Sequence, residues 1–360
     1  MRGDRLLVAW GVLVVAGAAF GQEADRARLP RAASAAAWRG EVPEIRRRME
    51  LVMGGLPDDV ARIAPDVEVI SEERTPRYLR RKIRYTPEPG DRVPAWLLVP
   101  HDFVPAARGD AASAASAAAV LCLHQTNHVG KDEPAGLGGL PDLHYAHDLA
   151  ERGFVCLAPD YPSFGEYAYD FTADRGYDSG SMKAVWNNVR GIDLLSALPG
   201  VDAGRIGVIG HSLGGHNALF TAAFDERIVA VVTSCGFTPF PDYYGGAVKG
   251  WTSDRYMPRI RDTYGLDAAR IPFDFPELLA ALAPRALFSN SPLGDDNFAV
   301  GGVARAFAEA LPVHRLFDGE PGVAPVAERL RLVTPACGHT FPPEARRQAY
   351  EWLDRRLAPR

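Results

Sequence analysis

The chain has 360 residues, of which 47% are hydrophobic and 24% charged, an ordinary globular balance with room for one large α/β domain or two small ones. Forty Lys and Arg against 45 Asp and Glu leave a formal charge of −5. That balance implies no basic face and excludes nucleic acid as the expected partner.

Arg2 and Arg5 precede an apolar run over 6–20, and Ala19-Phe20-Gly21 puts small residues at two recognition positions. The pattern predicts a signal peptide over 1–21 and an exported protein, periplasmic or extracellular. An uncleaved anchor is the alternative, although the run is short for a span. No later segment approaches membrane length, so no stable membrane insertion is expected after cleavage. Residues 22–66 are rich in Arg and Ala and predict a helical lead-in packed on the outside of the domain that follows over 67–360.

That domain opens with three strand-like stretches, 67–70, 78–85 and 93–99; the charged character of 78–85 suits a sheet edge. An Ala/Ser-rich stretch over 105–119 predicts a solvent loop. Apolar strands at 119–123, 154–158, 206–210, 228–233, 286–289 and 330–333 then alternate with helices near 142–152, 181–198 and 343–357. Such alternation predicts an α/β fold with a mostly parallel central sheet covered by helices on both faces. Between the strands at 228–233 and 286–289 lies a long, lid-like insertion over 236–284.

The most informative motif is Gly210-His211-Ser212-Leu213-Gly214, set between the strand at 206–210 and a helix. Strand, sharp turn and helix with serine at the apex form a nucleophile elbow, and small flanking residues allow the strained turn and close helix packing. Ser212 is therefore the candidate nucleophile. A serine hydroxyl needs a base and a group that orients the base, here in the order serine, acid, histidine. Downstream of Ser212, His339 follows the last strand in a glycine-containing loop, whereas His314 reads as a surface residue just after a helix. His339 is the expected general base. The acid should follow the penultimate strand, where Asp295 and Asp296 are adjacent. Asp296 is favoured, and Asp295 is expected to cap the turn or face water.

An oxyanion needs preorganised donors. The Leu213 backbone N–H supplies one, and Gln125 or Thr126, in the loop after the strand at 119–123, supplies the second. Aromatic residues cluster over 160–177 and in the insertion; Tyr161, Tyr244 and Trp251 are candidate substrate-binding side chains, with packing as the alternative. His128, Lys131, Asp132, Glu133, His144 and His147 match no rigid metal-ligand spacing, so no metal and no cofactor are expected. Cys122, Cys156, Cys235 and Cys337 are read as free thiols, with a Cys235–Cys337 bridge as the alternative.

Leu123-His124-Gln125-Thr126, the 130–136 segment Gly-Lys-Asp-Glu-Pro-Ala-Gly, Ala158-Pro159-Asp160-Tyr161, the elbow itself and Asp295-Asp296-Asn297-Phe298 resemble the α/β-hydrolase superfamily. Within it they are similar to a bacterial subgroup described as acetyl xylan esterases, near dienelactone hydrolases and the prolyl oligopeptidase catalytic domain. The first loop departs from the usual His-Gly pattern by carrying Gln125, which bears on the second oxyanion donor and not on the triad. The resemblance implies an α/β-hydrolase fold and acyl-enzyme chemistry on a small-molecule or carbohydrate ester. Two other readings compete. A peptidase of the prolyl oligopeptidase type would be expected to carry a large N-terminal propeller, whereas fewer than seventy residues precede the first strand. A non-catalytic saccharide-binding protein on the same scaffold would not be expected to keep serine, acid and histidine together.

Overall fold

The computed structural model describes residues 29, 32–57, 62–103, 116–172 and 176–359. The expected signal peptide and most of the 105–119 loop lie outside them. The lead-in forms helix α1 (Ala35–Met53), started by Ser34, whose hydroxyl accepts the Ala37 N–H at 3.2 Å. Trp38 of α1 is fully buried and donates its indole N–H to the Ala280 carbonyl at 3.1 Å. The lead-in thus contributes to the core as well as lying on the outside.

Three antiparallel strands follow, β1 (Val67–Arg74), β2 (Tyr78–Tyr85) and β3 (Val93–Pro100). The sheet edge is β1, exposed along its whole length, and the charged side chains of β2 are explained by its partner: Glu72 and Glu73 pair with Arg81 and Arg80. Next come β4 (Ala117–Leu123), α2 (Tyr145–Glu151), β5 (Val155–Pro159), α3 (Gly180–Ala197), β6 (Val201–His211), α4 (Leu213–Phe224) and β7 (Ile228–Ser234). The insertion carries α5 (Arg259–Asp262) and α6 (Phe275–Ala281). The chain closes with β8 (Ala286–Asn290), α7 (Val300–Arg315), α8 (Val326–Arg329), β9 (Leu330–Val333) and α9 (Pro343–Arg356). Strand order is β1-β2-β3-β5-β4-β6-β7-β8-β9, parallel from β5 onwards.

Alternation along each strand sorts the core into two layers. Leu121 and Leu123 join α1, α3, α4, α6 and α7 on one face, while Val120 and Cys122 join α2 and α9 on the other. Burial on both faces is why these strands read as continuous apolar runs. His314 corrects its sequence reading. It lies inside α7 and is fully buried, with Nε2–H donating to the Leu279 carbonyl at 3.0 Å, and burial lowers its pKa to about 4. The stretch that reads as a helix end continues for another turn, across Pro312.

Parallel strands gather their carboxyl ends along one rim. The loops that leave β4, β6, β8 and β9 there carry Gln125, Ser212, Asp295 and His339 respectively. Among the described residues no helix is long and apolar enough to cross a membrane.

Candidate active site

Ser212 stands between β6 and α4 with φ 53° and ψ −116°, a conformation that non-glycine residues seldom adopt. Its N–H donates to the Ser234 carbonyl at 2.8 Å, which ties the apex to the end of β7. The glycines around it are set by contact. A Cβ at Gly210 would lie 2.1 Å from the Gly214 carbonyl oxygen, and one at Gly214 would lie 1.9 Å from that of Leu123. One at Gly215 would meet Gly236 Cα at 2.7 Å. Turn, helix start and the β4 exit therefore press directly on one another, and the serine remains partly exposed.

His339 lies in the loop after β9. Its Nδ1 is 2.9 and 3.0 Å from the two carboxylate oxygens of Asp295, and its ring packs edge-on against His211 with centroids 4.9 Å apart. His211 is the residue before Ser212, so the imidazole sits beside the elbow. With Nδ1–H given to the carboxylate, Nε2 carries the free lone pair. Burial drives the His211 pKa down to about 3, with His339 adding to the effect, so His211 stands neutral beside its neighbour.

The acid position is a correction. Asp295, not Asp296, meets the histidine; Asp296 is exposed. Asp295 Oδ1 also accepts the N–H groups of Asn297 and Phe298 at 2.9 and 3.0 Å. Capping the turn and orienting His339 thus fall to one residue, where the sequence reading divided them between two. Burial raises the Asp295 pKa, but His339 and the two N–H groups outweigh it and hold the carboxyl below its ordinary range. Cys235 Sγ, Asp295 and His339 lie within 4.8 Å of one another. Burial, and then Asp295, push the Cys235 thiol well above its ordinary pKa. All four cysteines are free, and Cys235 and Cys337 are not bridged.

The 124–127 loop is anchored at its start. Tyr145 donates its hydroxyl to the Leu123 carbonyl, and His124 Nε2 accepts the Tyr161 N–H at 2.9 Å. The backbone N–H groups of Gln125 and Thr126 donate to nothing among the described residues. Leu213, as the first residue of α4, has an N–H with no intrahelical acceptor. The close contact of Gly214 with Leu123 sets the start of α4 against the end of β4, from which the 124–127 loop leaves. The Gln125 side chain itself turns away, donating to Glu133 Oε1 at 3.1 Å.

Of the three candidate substrate-binding aromatics, only Tyr244 is open to solvent. It is 60% exposed, has φ 46°, and donates its hydroxyl to Asn297 Oδ1 at 3.2 Å, beside the Asp295 turn. Tyr161 and Trp251 are interior. Tyr161 donates its hydroxyl to the Arg255 carbonyl, and Trp251 packs among His216, Phe240, Tyr243, Phe275 and Phe298. The cavity beside Tyr161, of about 10 Å³, is too small for a sugar ester. Of the residues that invited a metal reading, Lys131 pairs with Asp132, Asp160 and Glu166, and His147 with Tyr78.

Residues 120–352 match the model of the alpha/beta hydrolase family, and the chain belongs to that family. A glucuronoyl esterase from Solibacter usitatus superposes with TM-score 0.64 at 21% identity, over 91% of this chain and 94% of that one. Acetyl xylan esterase 1 from Thermoanaerobacterium sp. superposes with TM-score 0.58 at 15% identity, over 92% and 99%. A segment of 135 residues is 27% identical to a 4-O-methyl-glucuronoyl methylesterase of Sodiomyces alcalophilus, covering 31% of this chain and 26% of that protein. The chain spans between 25% and 34% of the length of the curated relatives it matches.

Proposed function

We propose that the protein is an exported serine esterase acting on carboxylic esters of carbohydrates, through an acyl-enzyme on Ser212. The observation that carries this reading is the Asp295–His339 pair, bonded at 2.9 Å, with the imidazole packed on the residue that precedes a strained serine. His339 Nε2 takes the Ser212 proton as Oγ attacks the ester carbonyl. Asp295 keeps the ring in the Nδ1–H tautomer and stabilises the imidazolium. The N–H of Leu213, with that of Gln125 or Thr126, receives the oxyanion. The imidazolium then returns its proton to the leaving alcohol, and water, activated by the same nitrogen, releases the acid. Export rests on the basic and apolar pattern of residues 1–21.

Carbohydrate esters are supported by the likeness to glucuronoyl and acetyl xylan esterases and by Tyr244, an exposed ring on the rim suited to stacking on a sugar. The test is turnover of p-nitrophenyl acetate, acetylated xylan and methyl glucuronate by wild type and Ser212→Ala. Ester turnover lost in the variant is the expected result. Turnover of aminoacyl p-nitroanilides in place of esters, or no turnover and no fluorophosphonate labelling of Ser212, overturns the reading.

A further inference from the structure

The 125–127 loop is gripped through three consecutive side chains by two residues distant in sequence from each other. Gln125 donates its amide to Glu133 Oε1 at 3.1 Å, and Asn127 donates its own to Glu133 Oε2 at 2.5 Å. Between them, Thr126 Oγ1 lies 3.0 Å from the Tyr256 hydroxyl. We propose that Glu133 and Tyr256 are positioning residues that together fix the backbone N–H groups of Gln125 and Thr126 in the orientation required to receive the oxyanion. The inference rests on the esterase reading for its consequence in turnover, but not for the clamp itself.

Two features separate this arrangement from ordinary packing. Glu133 is a buried carboxylate, 1% exposed, and no cation forms an ion pair with it among the described residues. Burying such a group is costly unless its oxygens are satisfied. Its acceptors are filled by the two loop amides and by the Leu140 N–H at 3.0 Å. Its surroundings are also shaped to it: at Gly139, with φ +66°, a Cβ would come within 2.3 Å of Glu133 Oε1.

Tyr256 belongs to the insertion, and the backbone around it is bolted to the start of α3. Gly180 N–H donates to the Asp254 carbonyl at 2.8 Å, and Ser181 N–H to that of Tyr256 at 3.2 Å. Arg255 Nε reaches Ser163 Oγ at 2.7 Å. The Tyr256 ring packs on the cluster of Tyr161, Phe164, Ala184 and Leu213. One tyrosine therefore bonds the loop through its hydroxyl and packs its ring against the cluster that contains Leu213.

Tyr256→Phe, Thr126→Val, the double variant, Thr126→Ser and Glu133→Gln test this, with hydrogen–deuterium exchange and p-nitrophenyl acetate kinetics as the two measurements. Removing either hydroxyl should lower kcat by roughly ten- to a hundredfold with KM little changed. The double variant should be no slower than either single one, and Thr126→Ser should keep wild-type turnover. The amides that this network bonds around the loop, Gly130 N–H on Asn127 Oδ1 and Leu140 N–H on Glu133 Oε1, should exchange faster in Glu133→Gln, and that of Gly130 in Tyr256→Phe, with the core amides of β4 and β6 unaffected. Unchanged exchange around the loop, or losses in kcat that multiply in the double variant, overturns the clamp. A wild type that turns over no ester refutes the esterase reading instead, and the exchange measurement alone then decides whether the clamp exists.

Discussion

Ser212 holds a backbone conformation that costs on the order of 1–3 kcal/mol for a non-glycine residue, and the cost is met by contacts that leave the turn no alternative. Gly210→Ala places a methyl 2.1 Å from the Gly214 carbonyl oxygen, so one of the two must move. We expect a loss of about 1–3 kcal/mol in denaturant unfolding together with loss of ester turnover. A fully active, equally stable variant would show that the turn is looser than its contacts imply. The adjacent aspartates give a second contrast at this scale. Asp295→Asn removes the partner of Nδ1–H and should cut kcat by roughly 10⁴, whereas Asp296→Asn, at an exposed position, should leave it near wild type. Reversal of that order in steady-state kinetics would return the role to Asp296. Only burial distinguishes the pair, and burial is a property of the loop's path against β9.

Among the elements, α1 is the one whose weight was least legible. Its Arg/Ala-rich composition suggests a surface helix, yet Trp38, Ile45, Met49 and Val52 are buried, and Trp38 bonds the end of α6. Trp38→Ala should lower unfolding free energy by about 3–5 kcal/mol in urea titration, while the KM of any enzyme that stays folded is unchanged. A shift well under 1 kcal/mol would mean that the helix is a detachable appendage. The insertion, read as lid-like, packs its aromatic residues against the body. Lid-like in position, it is fastened at Gly180, where a Cβ would lie 2.4 Å from the Arg255 carbonyl oxygen. Its aromatic interior, from Phe237 to Phe275, stacks continuously with Trp251 and Phe220 of α4. This part of the chain packs over α4, and Tyr256 belongs to it.

For the molecule as a whole, four buried histidines contribute to the response to mild acid. His124, His211, His216 and His314 are held neutral, chiefly by burial, with pKa values lowered to about 4, 3, 3 and 4. A histidine depressed in the folded state is protonated first in the unfolded chain. Its contribution is therefore fully present above the unfolded value of about 6.5 and is lost as pH falls towards the folded value. Each contributes a slope of up to about 1.4 kcal/mol per pH unit in that window. Asp160 acts oppositely: burial raises its pKa to about 6, so its contribution is lost as pH rises, offsetting part of the slope below pH 6. Urea midpoints should drop clearly between pH 7 and pH 5, and His314→Gln should flatten the drop. Identical midpoints at the two pH values would contradict the burial of these rings.

Sequence alone determined the alternation of strands and helices, the elbow around Ser212, and the placing of His339 after the last strand. Each of these is local: apolar runs bounded by turns, a glycine-flanked serine, a histidine in a loop of known order. Tertiary structure decided which aspartate meets the imidazole, that Tyr161 and Trp251 face inward, that His314 is core, and that Glu133 and Tyr256 converge on Thr126 and its neighbours. Those outcomes depend on which side of a turn is buried and on contacts across more than a hundred residues, such as Thr126 with Tyr256. A side chain's partner is fixed by packing between elements, and no window along the chain carries that information.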